Sequence, residues 1–197
     1  RDDLLKGQTV LVSGGGSGLG RAMAYLFARL GADVMICGRR EDMLAATAAG
    51  IKQHLGRSIG YKAMTIRDPQ MVEDLVKATW DKFGRLDVLV NNGGGQFPQA
   101  AIDFTQKGWL AVIDTNLNGS WNVTQTMAKR FFLPRNQGVV VSIVVNNLRG
   151  FPGMAHTGAA RAGVMNFTRS LAVEWARRGI RLNCVAPGII RSSGLDN

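Results

Sequence analysis

Thr9-Val10-Leu11-Val12-Ser13-Gly14-Gly15-Gly16-Ser17-Gly18-Leu19-Gly20 is the stretch that decides the fold. The apolar run Val10-Leu11-Val12 enters a turn of glycine and serine. Arg21-Ala22-Met23-Ala24-Tyr25-Leu26-Phe27-Ala28-Arg29-Leu30 leaves it with helical character. The order is strand, glycine-rich turn, helix. Without Cβ atoms in the way, backbone N–H groups and a helix N-terminus can approach a pyrophosphate closely. A bare G-x-G-x-x-G spacing carries little weight, and the flanking strand and helix supply the context that strengthens it. The expectation is a dinucleotide site built on Gly14, Gly18, Leu19 and Gly20, with the hydroxyls of Ser13 and Ser17 near phosphates.

Outward from this turn, strand and helix patterns alternate. Strands are expected at Thr9–Ser13, Asp33–Cys37, Ile59–Ile66, Leu86–Val90, Val139–Val145 and Ile180–Ala186. Helices are expected at Gly18–Leu30, Glu41–His54, Pro69–Phe83, Gln106–Asp114, Gly119–Phe132 and Thr157–Arg177. Continuous apolar strands between amphipathic helices argue for a parallel sheet covered on both faces. Right-handed crossovers then give an α/β, doubly wound Rossmann fold in a single domain over residues 1–197. A sheet ending on its sixth strand, with no helix after it, looks truncated, and a C-terminal substrate-loop region is expected to be absent.

Composition narrows the function. At 197 residues the chain can bury a sizeable core, and 46% of it is hydrophobic. No apolar run reaches the roughly 18 residues of a membrane span, and Arg1-Asp2-Asp3-Leu4-Leu5-Lys6 lacks the apolar stretch of a signal peptide. The two cysteines, Cys37 and Cys184, lie in apolar strand-like runs. Both read as buried, reduced thiols without metal-ligand spacing, and no metal site is expected. Lys and Arg number 24 against 14 Asp and Glu, a formal net charge of +10. The basic residues are scattered singly or in pairs, with no stripe interleaved with aromatics, so nucleic acid is a poor partner. A polyanionic small molecule, either a phosphorylated cofactor or a CoA thioester, is a better match.

Three motifs in order, Ser13-Gly14-x-x-x-Gly18-x-Gly20, Asn91-Asn92-Gly93-Gly94 and Asn116-Leu117-Asn118-Gly119, carry a resemblance. Arg161-Ala162-Gly163-Val164, Ser170-Leu171-Ala172 and Pro187-Gly188 complete it. Along its whole length the chain resembles the short-chain dehydrogenase/reductase family. The family's Tyr-x-x-x-Lys is missing: Thr157 stands where Tyr belongs, Arg161 where Lys belongs, and Val144 where the catalytic serine belongs. The family's asparagine is present as Asn116. Asn91–Phe97, Lys107-Gly108-Trp109, Gly150-Phe151-Pro152, His156–Val164, Glu174-Trp175-Ala176 and Asn183–Gly188 are similar to the peroxisomal trans-2-enoyl-CoA reductases, with the 2,4-dienoyl-CoA reductases as more distant relatives.

The resemblance implies NADPH-dependent reduction of the C2=C3 bond of a trans-2-enoyl-CoA. Alternatives from the same residues are a carbonyl or 3-oxoacyl reductase with a rearranged site, and a non-catalytic NADP(H)-binding protein. The second expected strand ends Cys37-Gly38-Arg39-Arg40 without a carboxylate. Arg39 is therefore placed on a ribose 2′-phosphate and Arg40 beside the adenine, favouring NADP(H). Asn91 is expected at the adenosine ribose, Gly93 nearby, and Pro187-Gly188 along the nicotinamide. Hydride delivery needs no protein nucleophile, only orientation and stabilisation of developing charge. Candidate catalytic groups are Gln96, Asn116, Thr157 and Arg161, with Arg161 also on the nicotinamide ribose. Asn146, Asn147 and His156 are weighed beside them, each with an ordinary turn or packing role as the alternative. Met165, Thr168 and Ala172 form a second face of the long helix that could meet a partner. The family association implies a homo-oligomer, tetramer or dimer. The compartment is cytoplasmic or, alternatively, peroxisomal.

Overall fold

The computed structural model describes residues 2–188 and 190. The apolar runs become β1 (Thr9–Ser13), β2 (Asp33–Gly38), β3 (Gly60–Ala63), β4 (Val88–Asn91), β5 (Gly138–Ile143) and β6 (Ile180–Val185). They form one parallel sheet in the order β3-β2-β1-β4-β5-β6. The amphipathic stretches become α1 (Gly18–Arg29), α2 (Glu41–Leu55), α3 (Pro69–Phe83), α4 (Gln106–Ile113), α5 (Gly119–Met127), the single turn α6 (Leu133–Arg135), and α7 (Ala155–Trp175).

The strands are apolar on both sides because both sides are packed. In β1, Val10 and Val12 join Val34, Ile36, Leu44 and Ile51 on one face of the sheet. Leu11 between them joins Met35, Leu75, Leu89, Met127, Phe131 and Val140 on the other. Each fully buried aliphatic side chain contributes about 1.5–3 kcal/mol. At the N-terminal ends of the strands, buried Asp87 accepts hydrogen bonds from the Thr9 N–H at 2.9 Å, from Arg85 at 2.7 and 2.9 Å, and from Arg135 at 2.9 Å. This ties β1, the approach to β4 and the turn before β5 together.

The chain winds outward from β1 through β2 to β3, then returns to place β4 on the other side of β1. The strand order reverses at β1/β4, and a doubly wound sheet opens a crevice beyond the strand C-termini at such a point.

Several elements depart from expectation. The third strand is Gly60–Ala63 rather than Ile59–Ile66, because it is an edge strand whose pairing runs only from Met35↔Gly60 to Gly38↔Ala63. Ile59, Met64 and Ile66 are buried as loop residues. The two helices expected either side of residues 115–118 are continuous through a π-helical turn at Asp114–Asn118, and a second π turn spans Ala128–Phe132. The long helix begins two residues early, at Ala155, and passes into a 3-10 turn at Ala176–Arg178. Cys37 is buried but Cys184 is only half-buried. Beyond β4 the sheet is covered on one face only among the described residues: Val139, Val141 and Ile143 are half-buried, while Arg181, Asn183 and Val185 are not buried either. Thr168 is buried against the body of the protein and does not belong to an outer face of α7.

Candidate active site at the β1/β4 crevice

The glycine turn lines the crevice. Gly14, Ser17, Leu19 and Gly20 form one wall, Arg39 and Arg40 a second, and Asn92, Gly93 and Gly94 a third. Close packing makes the glycines necessary: a Cβ on Gly20 would overlap the carbonyl oxygen of Gly14 and crowd the Asn92 amide. That contact lets α1 start directly under the turn, with its N-terminus toward the crevice. Ser17 is the N-cap of α1, yet its side chain makes no capping bond. Its hydroxyl instead accepts from Arg40 at 3.4 Å. Arg39 is exposed and makes no hydrogen bond or ion pair among the described residues. Among the described residues the lining holds two guanidinium groups and no carboxylate. An unblocked helix N-terminus and two cations fit an anionic nucleotide.

Two expected cofactor contacts are spent elsewhere. The Ser13 hydroxyl accepts from the N–H groups of Asn92 at 3.0 Å and Gly93 at 2.8 Å. It therefore fastens β1 to the loop after β4 and does not face the crevice. Asn91 is buried, and its amide donates to Thr124 at 2.7 Å and Ser142 at 3.4 Å. A strand alternates its side chains, so Asn91 faces the core while the next residue opens outward. Asn92 is the asparagine that lines the crevice, donating to the carbonyls of Ser13 and Gly14 at 3.0 and 3.4 Å. Its presence in the quoted Asn-Asn-Gly-Gly motif was the available signal. Met64, Thr65 and Ile66 also line the crevice and were unforeseen, because a loop wall has no periodicity. Gly18 falls outside the lining, as do Pro187 and Gly188, which follow β6.

The other half of the site gathers behind the glycine loop. Asn116, fully buried in the first π turn, accepts from the Gly95 N–H at 2.9 Å and donates to the Gly95 carbonyl at 3.0 Å. Arg161 enters from α7, donating to the Ile143 carbonyl at 3.0 Å at the end of β5. It is only 8% exposed, and burial pushes its pKa down to about 10. It remains a cation at neutral pH, and no carboxylate pairs with it among the described residues. Its guanidinium lies so close to Gly94 that a Cβ there would overlap it.

Thr157 is fully buried one turn before Arg161, with its hydroxyl 3.3 Å from Nδ1 of His156. Val144 is buried, and its N–H donates to the Val185 carbonyl at 2.9 Å. Gln96 is exposed on the loop after β4. Asn146 accepts from the Leu148 N–H in a turn, and Asn147 donates to the Gly158 carbonyl on α7. His54 is an exposed helix residue whose ring bonds the Gly50 carbonyl. The structure thus brings Asn116, Arg161 and the glycine loop together. It leaves Gln96 on the rim and turns the Thr157 hydroxyl toward His156.

A doubly wound sheet with a glycine turn at its switch point and an anion-ready crevice is the architecture of the α/β nucleotide-binding class. The short chain dehydrogenase pattern matches residues 8–197, and the chain belongs to that family. It is 39% identical over 189 residues to the probable 2,4-dienoyl-CoA reductase ((2E)-enoyl-CoA-producing) of Bacillus subtilis (strain 168), covering 95% of this chain and 74% of that protein. It is 40% identical over 196 residues to probable 2,4-dienoyl-CoA reductase 3 ((3E)-enoyl-CoA-producing) of Caenorhabditis elegans, covering 98% of this chain but 63% of that one. Among solved structures, the citronellol catabolism dehydrogenase AtuB of Pseudomonas aeruginosa PAO1 superposes with a TM-score of 0.90 at 40% identity, over 95% of this chain and 77% of that one. A single-substitution variant of actinorhodin polyketide ketoreductase with NADPH superposes with a TM-score of 0.91 at 32% identity, over 95% and 72%. No helix of the described residues is long and apolar enough to cross a membrane.

Proposed function

We propose that the protein reduces the C2=C3 double bond of an α,β-unsaturated acyl-CoA with NADPH, trans-2-enoyl-CoA being the first substrate to test. The observation that carries this reading is Arg161, a buried guanidinium that no carboxylate pairs with among the described residues, set against the glycine loop of the crevice. A buried cation without a counter-ion is costly unless a ligand supplies negative charge.

The cofactor, when bound, supplies the hydride that goes to C3. The electron pair of the double bond then moves toward the thioester oxygen, and C2 takes a proton that comes from solvent water. Arg161 meets the need for a fixed positive charge toward developing negative charge in a water-poor place. It cannot act as a proton shuttle at neutral pH. Thr157 lacks the acidity of a phenol, so the site does not favour protonating a carbonyl oxygen directly. The dienoyl-CoA reductase relatives support chemistry at a carbon–carbon bond. Arg39 would take the 2′-phosphate of NADPH by charge-assisted hydrogen bonds, and among the described residues the lining has no carboxylate to repel it. The whole of the chain serves as the NADP(H)-binding and catalytic domain. Self-association falls to the outer side of α7, where Val173 is exposed. Cytosol or peroxisome is the expected compartment.

The ketoreductase neighbour keeps a second reading in view, reduction of a 3-oxoacyl thioester. The test is NADPH oxidation, followed by absorbance, with trans-2-enoyl-, 2,4-dienoyl- and 3-oxoacyl-CoA of matched chain length. Turnover of the trans-2-enoyl thioester is expected; turnover of the 2,4-dienoyl thioester alone overturns hydride addition at C3. Turnover of the 3-oxoacyl thioester alone overturns the proposal. NADPH binding without turnover of any of them points to a non-catalytic family member.

A further inference from the structure

One buried polar atom beside the cluster has no partner. His156, the second residue of α7, has no exposed surface. Its Nδ1 accepts the backbone N–H of Thr157 at 2.7 Å. That nitrogen is therefore unprotonated, and the neutral ring carries its hydrogen on Nε2. Nε2 is fully buried and has no hydrogen-bond partner among the described residues.

The ring is held between two others. Phe97 meets it edge-on with centroids 4.7 Å apart, and Phe104 lies over it at 4.4 Å. Phe97 and Phe104 belong to the segment joining β4 to α4, whose only regular element is a 3-10 turn at Ala101–Asp103. The Gln99 N–H ties this segment to the Gly153 carbonyl, just before α7. The same segment carries Gly94 and Gly95, which meet Arg161 and Asn116. His156 thus stands at the start of α7, packed under the same segment whose Gly94 end lines the crevice. An aromatic face is at best a weak acceptor for an N–H, and an unpaired buried donor costs free energy until an acceptor arrives.

We infer that the Nε2–H of His156 is the hydrogen-bond donor for the carbonyl oxygen of the acyl thioester, reached when the Phe97 side of the rim moves aside for substrate. This rests on the acyl-thioester reading above. A thioester matches the surroundings: one acceptor oxygen, flanked by a sulfur and a hydrocarbon chain that the two phenyl rings can cover. Thr157 then has the supporting role of holding Nδ1, which keeps the donor proton on Nε2.

The test is calorimetric titration of the NADPH-loaded protein with butyryl-CoA and with its thioether counterpart, S-butyl-CoA, which lacks the carbonyl. Wild type is expected to prefer the thioester by about tenfold, the worth of one buried hydrogen bond. His156→Asn keeps an acceptor for the Thr157 N–H but cannot reach the Nε2 position, so it should fold and lose the preference. His156→Gln places an amide N–H near that position and should recover most of it. A purely structural histidine predicts the same preference in all three proteins, and that result overturns the inference. Equal binding of both compounds by wild type overturns the role of His156 alone. Binding of neither overturns the acyl-CoA reading and the inference with it.

Discussion

Asn116 holds both backbone groups of Gly95 with a single side chain: its Oδ1 accepts the Gly95 N–H at 2.9 Å and its Nδ2 donates to the Gly95 carbonyl at 3.0 Å. The clamp spans 21 residues of sequence. It needs an amide, because only an amide offers one acceptor and one donor in a plane. Asn116→Asp keeps the acceptor but turns a second oxygen on the Gly95 carbonyl. The expected cost is about 1–3 kcal/mol, read as a fall in Tm of several degrees by calorimetry. Affinity for NADPH should weaken with it, since Gly93 and Gly94 line the crevice. Unchanged Tm and unchanged NADPH affinity would show that the clamp is dispensable.

Neighbouring glycines separate packing from loop flexibility. A Cβ on Gly94 would overlap the Arg161 guanidinium and lie 2.9 Å from Asn116 Oδ1, whereas one on Gly95 meets nothing within 4 Å. Gly94→Ala should therefore lower kcat/KM at least tenfold by displacing Arg161, an effect of about 1.4 kcal/mol or more. Gly95→Ala should stay within about twofold of wild type, well under 1 kcal/mol. Equal losses in steady-state assays would mean that Arg161 is not the group displaced.

The two crevice arginines are not equivalent. Arg40 already donates to Ser17 at 3.4 Å, while Arg39 is uncommitted among the described residues. Arg39→Asp should raise the Kd of NADPH at least tenfold and leave that of NADH within about threefold, as expected for lost charge-assisted bonds to a phosphate. Fluorescence titration with both cofactors decides it. Equal losses for the two would remove Arg39 from the 2′-phosphate.

Acid sensitivity should originate far from the crevice, at Asp87. Burial alone would raise its pKa, but hydrogen bonds from Arg85, the Thr9 N–H and Arg135, together with the Arg85 charge, bring it below the ordinary value. A carboxylate depressed in the folded state stabilises the fold above its unfolded pKa, near 4. That contribution is lost as pH falls through the folded value. Tm should hold steady from neutral pH down to about 5 and then decline below about 4, as far as this group is concerned. Asp87→Asn should cost about 3 kcal/mol at pH 7, roughly 6–12 °C in Tm, and should flatten the decline on the acid side. A variant with the same acid profile as wild type would place the acid-labile group elsewhere.

The sequence by itself determined the parallel α/β order, the strand at Thr9–Ser13, the helices starting at Gly18 and Pro69, and the glycine turn between β1 and α1. These follow from local patterns: continuous apolar runs, helical spacing, and residues without Cβ where the backbone must come close. The positions of Asn116 and Arg161 came from motif spacing, and that of Arg39 from the end of the second strand. Only the tertiary structure decided how the polar side chains are spent. Ser13 bonds residues 79 and 80 positions away, and Asn91 reaches Thr124 and Ser142. No local pattern shows which member of an Asn-Asn pair faces the core. Nor does one show that Asp114–Asn118 widens into a π turn that swings Asn116 inward, or that Phe97 and Phe104 enclose His156. Local spacing sets which elements form, whereas long-range packing sets which donors and acceptors are consumed within the fold and which remain open to a ligand.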